Sequence, residues 1–201
     1  MKQIGYALGA ALLAAAMVMA PVAMATQDTP KTTKPADLSG LRDFDFLNGH
    51  WKTKHRRLKQ RFVGSSEWIE FDGSFSQRPL MDGWGNTGDN VFNLPGGAYR
   101  GVSLRAYDAQ TGQWTVWWLD GRNPGDDLSP PNKGRFERGL GRFFAKDTMQ
   151  GKPVLVRVTW SQPSPDAPRW EQAFSIDDGK TWELNWVTDF IRVDTKTAAA
   201  D

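Results

Sequence analysis

From residue 43 onward, short runs of aromatic and β-branched residues alternate with clusters of Gly, Pro, Asn and Asp. Such alternation is typical of the strands and turns of an antiparallel sandwich or barrel. No long stretch follows the 3.6-residue period of a helix, although residues 38–47 could hold a helical turn. The pattern predicts eight strands, at residues 49–59, 67–75, 99–107, 114–119, 136–145, 154–161, 169–175 and 182–192.

Alternate residues of a strand point to opposite sides of its sheet, so large apolar side chains at every second position mark an inner face. One such face per strand is what a single sheet closed on itself requires. We therefore predict an all-β protein, a single antiparallel up-and-down β-barrel of about eight to ten strands. The residues expected inside include Val154, Val156, Val158, Trp160, Trp170, Gln172, Phe174, Trp182, Leu184, Trp186, Thr188 and Phe190.

The strand at residues 114–119 differs from the others because it carries large apolar side chains on both faces. Trp118 shares a face with Trp114, whereas Trp117 points to the opposite side. We expect something to cover the outer side of this strand. The candidates are residues 38–47 and a second subunit, which would make a homodimer through an outer aromatic face.

The N-terminal residues are typical of an export signal. An apolar run at residues 4–20 follows Lys2, and residues 23–25 have the small-x-small form of a signal-peptidase site. We predict a cleaved signal peptide (1–25), a disordered linker (26–38), the barrel (39–194) and a disordered tail (195–201), hence a periplasmic or secreted bacterial protein with no membrane span after cleavage. An uncleaved membrane anchor is the alternative, but the run is short for a span.

Composition excludes several kinds of site. The chain has no Cys, which excludes thiolate catalysis and a disulfide scaffold, and its two His residues leave little for a multi-histidine metal centre. Removal of the predicted signal peptide takes away Lys2 and lowers the net charge from +2 to +1. Phosphate binding needs a surplus of Lys and Arg, which this nearly neutral chain lacks. We therefore predict no cofactor, no metal and no nucleic-acid partner.

Residues 175–182 have the pattern S-x-D-x-G-x-T-W. It resembles the Asp-box hairpins of sialidase propellers, where the motif occurs several times. Here it occurs once, and its Asp and Gly are residue types that hold a tight turn. We expect a folding role for this hairpin and no catalytic one.

Two features suggest a family. Gly49-His50-Trp51 resembles the G-x-W signature of lipocalin-type (calycin) barrels, in which the Trp closes one end. Segments at residues 43–47, 78–80, 99–101, 118–120 and 169–175 together resemble a bacterial domain-of-unknown-function family with a predicted lipocalin-like barrel. The resemblance spans residues 43–192 and implies a fold without an activity. Nitrobindin-type haem barrels share G-x-W but bind iron through a late His, and none follows His55 here.

The aromatic inner faces predict a small-molecule site, because such sites have mostly apolar walls with a few placed polar groups. A solid core is the alternative, since an eight-stranded barrel is just wide enough for side chains to fill. Loops 78–97 and 121–133 would guard the mouth, and the charged residues beside them would bind an anion or hold the loops by ion pairs. The candidate lining and mouth residues are Trp51, His55, Arg78, Arg100, Trp118, Asp120, Arg122, Trp160, Trp170, Gln172 and Trp186.

These observations favour a binding protein for a small hydrophobic or amphipathic ligand. A cofactor-free isomerase or cyclase on the same barrel is the first alternative, and His55 is its only inward acid or base candidate. A structural or protein-interaction domain is the second alternative, and it would use the outer aromatic face at Trp117.

Overall fold

The computed structural model describes residues 35–162 and 164–193 of the chain. The predicted signal peptide, residues 26–34 of the predicted linker and the tail at 195–201 lie outside the described residues. The described part holds ten strands: β1 (Gly49–Leu58), β2 (Trp68–Leu80), β3 (Gly85–Leu94), β4 (Gly97–Asp108), β5 (Gln113–Asp120), β6 (Asn132–Glu137), β7 (Leu140–Met149), β8 (Lys152–Ser161), β9 (Arg169–Ser175) and β10 (Glu183–Val193).

Every strand pairs antiparallel with its neighbours along the chain, and β10 pairs with β1 to close the sheet. The predicted single up-and-down, lipocalin-like barrel is thereby confirmed. The only helical elements within the described residues are two 3-10 turns, Asp45–Leu47 and Met81–Gly83. No helix in this part of the chain is long and apolar enough to cross a bilayer.

The strand boundaries differ from the prediction in two places. The sequence predicts a loop over 78–97, but half of it is β3, which pairs with β4 along its whole length and with β2 over residues 85–92. The predicted strand at residues 136–145 is the hairpin of β6 and β7. Its turn lies at Arg138 and Gly139, both with positive φ, which is the backbone that a two-residue hairpin turn requires.

The predicted inner face is correct along β8 and β9 and changes within β10. A β-bulge between Leu184 and Trp186 shifts the register, and after it Trp186, Thr188 and Phe190 face inward. The inward placement of Trp182 and Leu184 was wrong, because the extra residue of a bulge reverses the alternation. Leu184 is exposed, and Trp182 lies outside the wall against the guanidinium of Arg157 at 4.3 Å.

One end of the barrel is closed by the segment that precedes β1. Phe44 packs among the rings of Trp114, Phe143 and Trp160, at centroid distances of 5.2, 5.5 and 6.2 Å. Trp114 Nε1 also donates a hydrogen bond to the Gly40 carbonyl (2.9 Å). The expectation that residues 38–47 cover the outer side of β5 is therefore wrong, because Phe44 and Leu47 are buried inside the barrel end and Leu38 is exposed to solvent.

The G-x-W tryptophan lies at this closed end. Trp51 is fully buried, and its Nε1 donates to the Leu47 carbonyl (2.8 Å). The guanidinium of Arg192 lies 4.0 Å over the Trp51 ring and donates to the carbonyls of Phe46 and Asn48. Arg192 thus joins the last strand, the first strand and the closing segment.

The hairpin at residues 175–182 is held by local hydrogen bonds. Asp177 accepts from the Thr181 hydroxyl (2.6 Å), the Thr181 amide (2.9 Å) and the Ser175 hydroxyl (2.7 Å). These bonds lower the pKa of Asp177 to about 2. All of the groups in this network stabilise the turn that joins β9 to β10.

Candidate ligand cavity

A cavity of about 220 Å³ lies inside the barrel above the closed end. An apolar void of about 150 Å³ in another protein is large enough to bind benzene. This cavity therefore has room for a molecule larger than one aromatic ring. Its walls are mainly aromatic and include Phe75, Phe92, Trp118, Trp160, Trp170 and Trp186.

His55 projects into the cavity wall from the middle of β1 and is only 4% exposed. Its Nδ1 lies 2.8 Å from the Thr188 hydroxyl and 3.3 Å from Trp186 Nε1, and its Nε2 lies 2.8 Å from the Thr53 hydroxyl. Because an indole N–H can only donate, Nδ1 is an acceptor and the ring proton is on Nε2. Both ring nitrogens are therefore occupied by neighbours in the barrel.

The surroundings of His55 keep the imidazole neutral. Burial, together with the nearby charge of Arg57, lowers the pKa of His55 from 6.5 to about 4. The ring also stacks on Phe71, with centroids 4.7 Å apart. A neutral imidazole with both nitrogens bonded is a fixed polar part of the wall and is poorly placed to take a proton from a ligand.

Arg105 lines the lower part of the cavity, above the ring of Phe44, and is 4% exposed. Its Nη1 donates to the amide oxygens of Gln77 (2.8 Å) and Asn86 (2.9 Å). Its Nε is buried and has no hydrogen-bond partner in the part of the chain that the structure describes. Burial lowers the pKa of Arg105 to about 9, so the group is cationic at neutral pH.

Basic side chains surround the opposite, open end of the barrel. Arg122 forms an ion pair with Asp120 (Nε–Oδ1 2.9 Å) and lies 4.3 Å over the ring of Tyr99. The guanidinium of Arg57 lies 5.3 Å over the ring of Trp186, and burial lowers the pKa of Arg57. Arg61 lies nearby, and its buried Nε has no hydrogen-bond partner within residues 35–162 and 164–193.

This open end forms a second, outer hollow of about 650 Å³. Arg57 and Arg61 line the outer hollow, and Arg122, Gln172 and Trp186 line both it and the inner cavity. The two spaces therefore adjoin each other at these shared side chains. A ligand that enters the cavity from this end passes its positive charges first.

The structure brings most of the predicted site residues together. Trp51 is part of the closed end and does not line the cavity. The predicted residues that line the cavity are His55, Trp118, Asp120, Arg122, Trp160, Trp170, Gln172 and Trp186. A contact between these residues and a ligand stays a prediction.

Arg78 and Arg100 point to the outer surface of the barrel and line neither the cavity nor the outer hollow. In β4 the inward position is Gly101, and the residue before it must point outward. Arg100 forms an exposed ion pair with Asp89 on the neighbouring strand. In β2 the inward position is Gln77, which leaves Arg78 exposed.

The cavity and mouth residues that sequence reasoning missed include Arg57, Arg61, Tyr99 and Arg105. Arg57 shares the strand parity of Trp51 and His55, and that parity could have found it. No comparable signal marks Arg61, which lies in the connection between β1 and β2.

No family model matches this chain, and no curated protein matches it. Solved structures with a similar fold do exist. The S-type phycobiliprotein lyase CPES from Guillardia theta is 8% identical, with a TM-score of 0.50 over 77% of this chain and 92% of that one. EF1p2_mFAP2b bound to DFHBI is 10% identical, with a TM-score of 0.40 over 77% of this chain and all of that one. At these identities the likeness concerns the fold alone.

Proposed function

We propose that this protein binds a small amphipathic molecule with a flat, largely aromatic body inside the barrel. The observation that carries the proposal is the cavity of about 220 Å³, with its aromatic walls and few fixed polar groups. Walls of this kind bury an apolar ligand, and the polar groups fix its orientation. The proposal rests on the cavity, since the similarity to the lyase concerns the fold alone.

Polar groups on the wall support an amphipathic ligand over a pure hydrocarbon. Gln172 lines the cavity and makes none of the hydrogen bonds found among the described side chains. The side-chain oxygen of Asn132, also at the cavity, is buried and has no hydrogen-bond partner among the described residues. A buried polar atom such as the Asn132 oxygen is normally paired, so this oxygen and the half-buried amide of Gln172 are available to a ligand.

Native mass spectrometry of protein purified without denaturation tests the proposal directly, because a co-purified small molecule adds its mass to the folded protein. Binding of methyl 2-naphthoate, followed by calorimetry, provides a second measurement with a defined probe. The variant Val158→Trp fills the cavity from β8 and should abolish probe binding. The matched control is Leu104→Trp, on the outer face of β4, which should bind the probe as the wild type does. Absence of binding by the wild type, or equal binding by the Val158 variant, would contradict the proposal.

A cofactor-free isomerase or cyclase is the alternative function on this barrel. It would depend on His55 as the acid or base, but both ring nitrogens of His55 are bonded and its pKa is lowered. These contacts favour binding over catalysis. Turnover of a bound molecule that is lost in His55→Gln, with binding retained, would support the enzyme instead.

We also propose that the chain is exported, as the apolar run and the small-x-small motif at residues 23–25 suggest. Expression in a bacterium, followed by fractionation and N-terminal sequencing, tests this. A periplasmic product that begins at Thr26 is the expected result.

Two further proposals come from the sequence. One is membership of a bacterial family of lipocalin-like barrels, and the other is a homodimer through the Trp117 face. Light scattering of the purified protein tests the dimer.

A further inference from the structure

Arg105 is a buried cation without a carboxylate partner among the described residues. Its hydrogen bonds go to two neutral amides, those of Gln77 and Asn86, and its Nε has no partner. Taking a charge out of water is costly, and a buried charge is normally paired with an opposite one. The ring of Phe44, 4.8 Å from the guanidinium, offsets only part of that cost.

Arg105 lies where its unpaired charge can meet a ligand in the cavity. Arg105 lines the cavity, and Ser103, two residues earlier on the same face of β4, lines it too. A guanidinium forms two parallel hydrogen bonds with a carboxylate. The Ser103 hydroxyl donates a long hydrogen bond to the Gly88 carbonyl (3.3 Å), and a hydroxyl that rotates away from it can donate to a ligand instead. The lower part of the cavity therefore combines a positive charge, hydrogen-bond donors and aromatic walls.

We propose that the ligand is an aromatic monocarboxylate that binds with its acid group on Arg105 and its rings toward the open end. This inference rests on the proposed binding function and adds the chemical class and orientation of the ligand. The cavity volume limits the body of the ligand to about two fused rings. No covalent step is involved, and the carboxylate supplies the counter-charge that Arg105 lacks.

The arginines at the open end are the competing site for the acid group. Arg122 is already paired with Asp120 and is partly exposed, so its attraction for a second carboxylate is weakened. Arg57 lies against the rings of Phe71 and Trp186 and faces the wider outer hollow. We expect these charges to raise the rate at which an anion arrives, and we expect Arg105 to hold it.

Calorimetric titration with 2-naphthoate and with its methyl ester tests the inference, because the two differ only in the acid group. The wild type should bind the acid at least tenfold more tightly than the ester. In Arg105→Met the acid should lose at least tenfold in affinity, and the ester should be unaffected. Arg100→Met, which removes the exposed partner of Asp89 on the outside, is the matched control and should bind both probes as the wild type does.

The variants Arg105→Lys and Arg57→Met complete the experiment. The lysine keeps the charge without the planar fork, so it should retain part of the preference for the acid even if Arg105→Met does not fold. Equal losses for acid and ester, or a wild type that prefers the ester, would overturn the inference. A selective loss of the acid in Arg57→Met alone would move the acid group to the open end. If neither probe binds to the wild type, the proposed function itself fails.

Discussion

The buried histidine makes the stability of the barrel depend on pH in a predictable direction. His55 has a pKa of about 4 in the folded protein and an ordinary value near 6.5 when the chain is unfolded. Between these two pH values the unfolded state binds a proton that the folded state does not. The free energy of unfolding therefore falls as the pH is lowered from about 7 to about 4 and recovers when the pH is raised through the same range.

The size of the effect follows from the two pKa values. A tenfold change in proton affinity corresponds to about 1.4 kcal/mol, so the full difference at His55 is about 3 kcal/mol. The residue is 4% exposed, and its ring lies among Phe71, Phe92 and Trp186, so solvent screens little of this cost. The nearby charge of Arg57 acts in the same direction as burial.

Urea unfolding at pH values from 4.5 to 7.5, followed by tryptophan fluorescence, measures the effect. Carboxylates also titrate in this range, so the informative quantity is the difference between the wild type and His55→Gln. We expect the variant to lose about 2–3 kcal/mol less over the range than the wild type. His50→Gln, at an exposed position of the same strand, should keep the wild-type dependence. Parallel curves for the wild type and His55→Gln would refute the reasoning.

Two further predictions concern the fold. Trp51→Ala should lower the free energy of unfolding by about 3–5 kcal/mol, since a large buried ring leaves a cavity. The same truncation at Trp84, which is 41% exposed, should change it by less than about 1 kcal/mol in denaturant titrations, and equal losses would contradict the closed-end assignment. Gly73→Ala should abolish cooperative thermal unfolding, because its Cβ would overlap the carbonyl oxygen of Val91. By contrast, Gly96→Ala has open space around it and should melt normally.

The alternating pattern predicts the barrel well because most strands bury one apolar face. β4 departs from this rule, since the side chains that face inward are the more polar set. An arginine beside apolar residues is expected to point to solvent, which is why Arg105 could not be found from the sequence. Its two faces carry Ser103, Arg105 and Tyr107 on the inside and Val102, Leu104 and Ala106 on the outside.

The strand that sequence reasoning missed has a related cause. The inward residues of β3 include Asn86, which accepts a hydrogen bond from Arg105, and Gly88. A Cβ at Gly88 would collide with the ring of Phe75, so a side chain is excluded there by a neighbouring strand. Strand signals depend on apolar side chains at every second position. β3 lacks these signals because its inward positions carry a hydrogen-bonded amide and a glycine in place of apolar side chains.

The wall of the barrel is not equally strong all the way round. β5 and β6 are joined by only three residue pairs, which begin at Trp114 and end at Val116. Beyond Val116, the last residues of β5 have a paired neighbour on one side only, β4. Amide protons on the unpaired side should exchange with solvent sooner than those of the other strands, since local opening begins where the fewest bonds must break. Asn132 lies at this seam and also lines the cavity. A brief separation of β5 from β6 would therefore connect the cavity to solvent through the side of the barrel, without unfolding the rest.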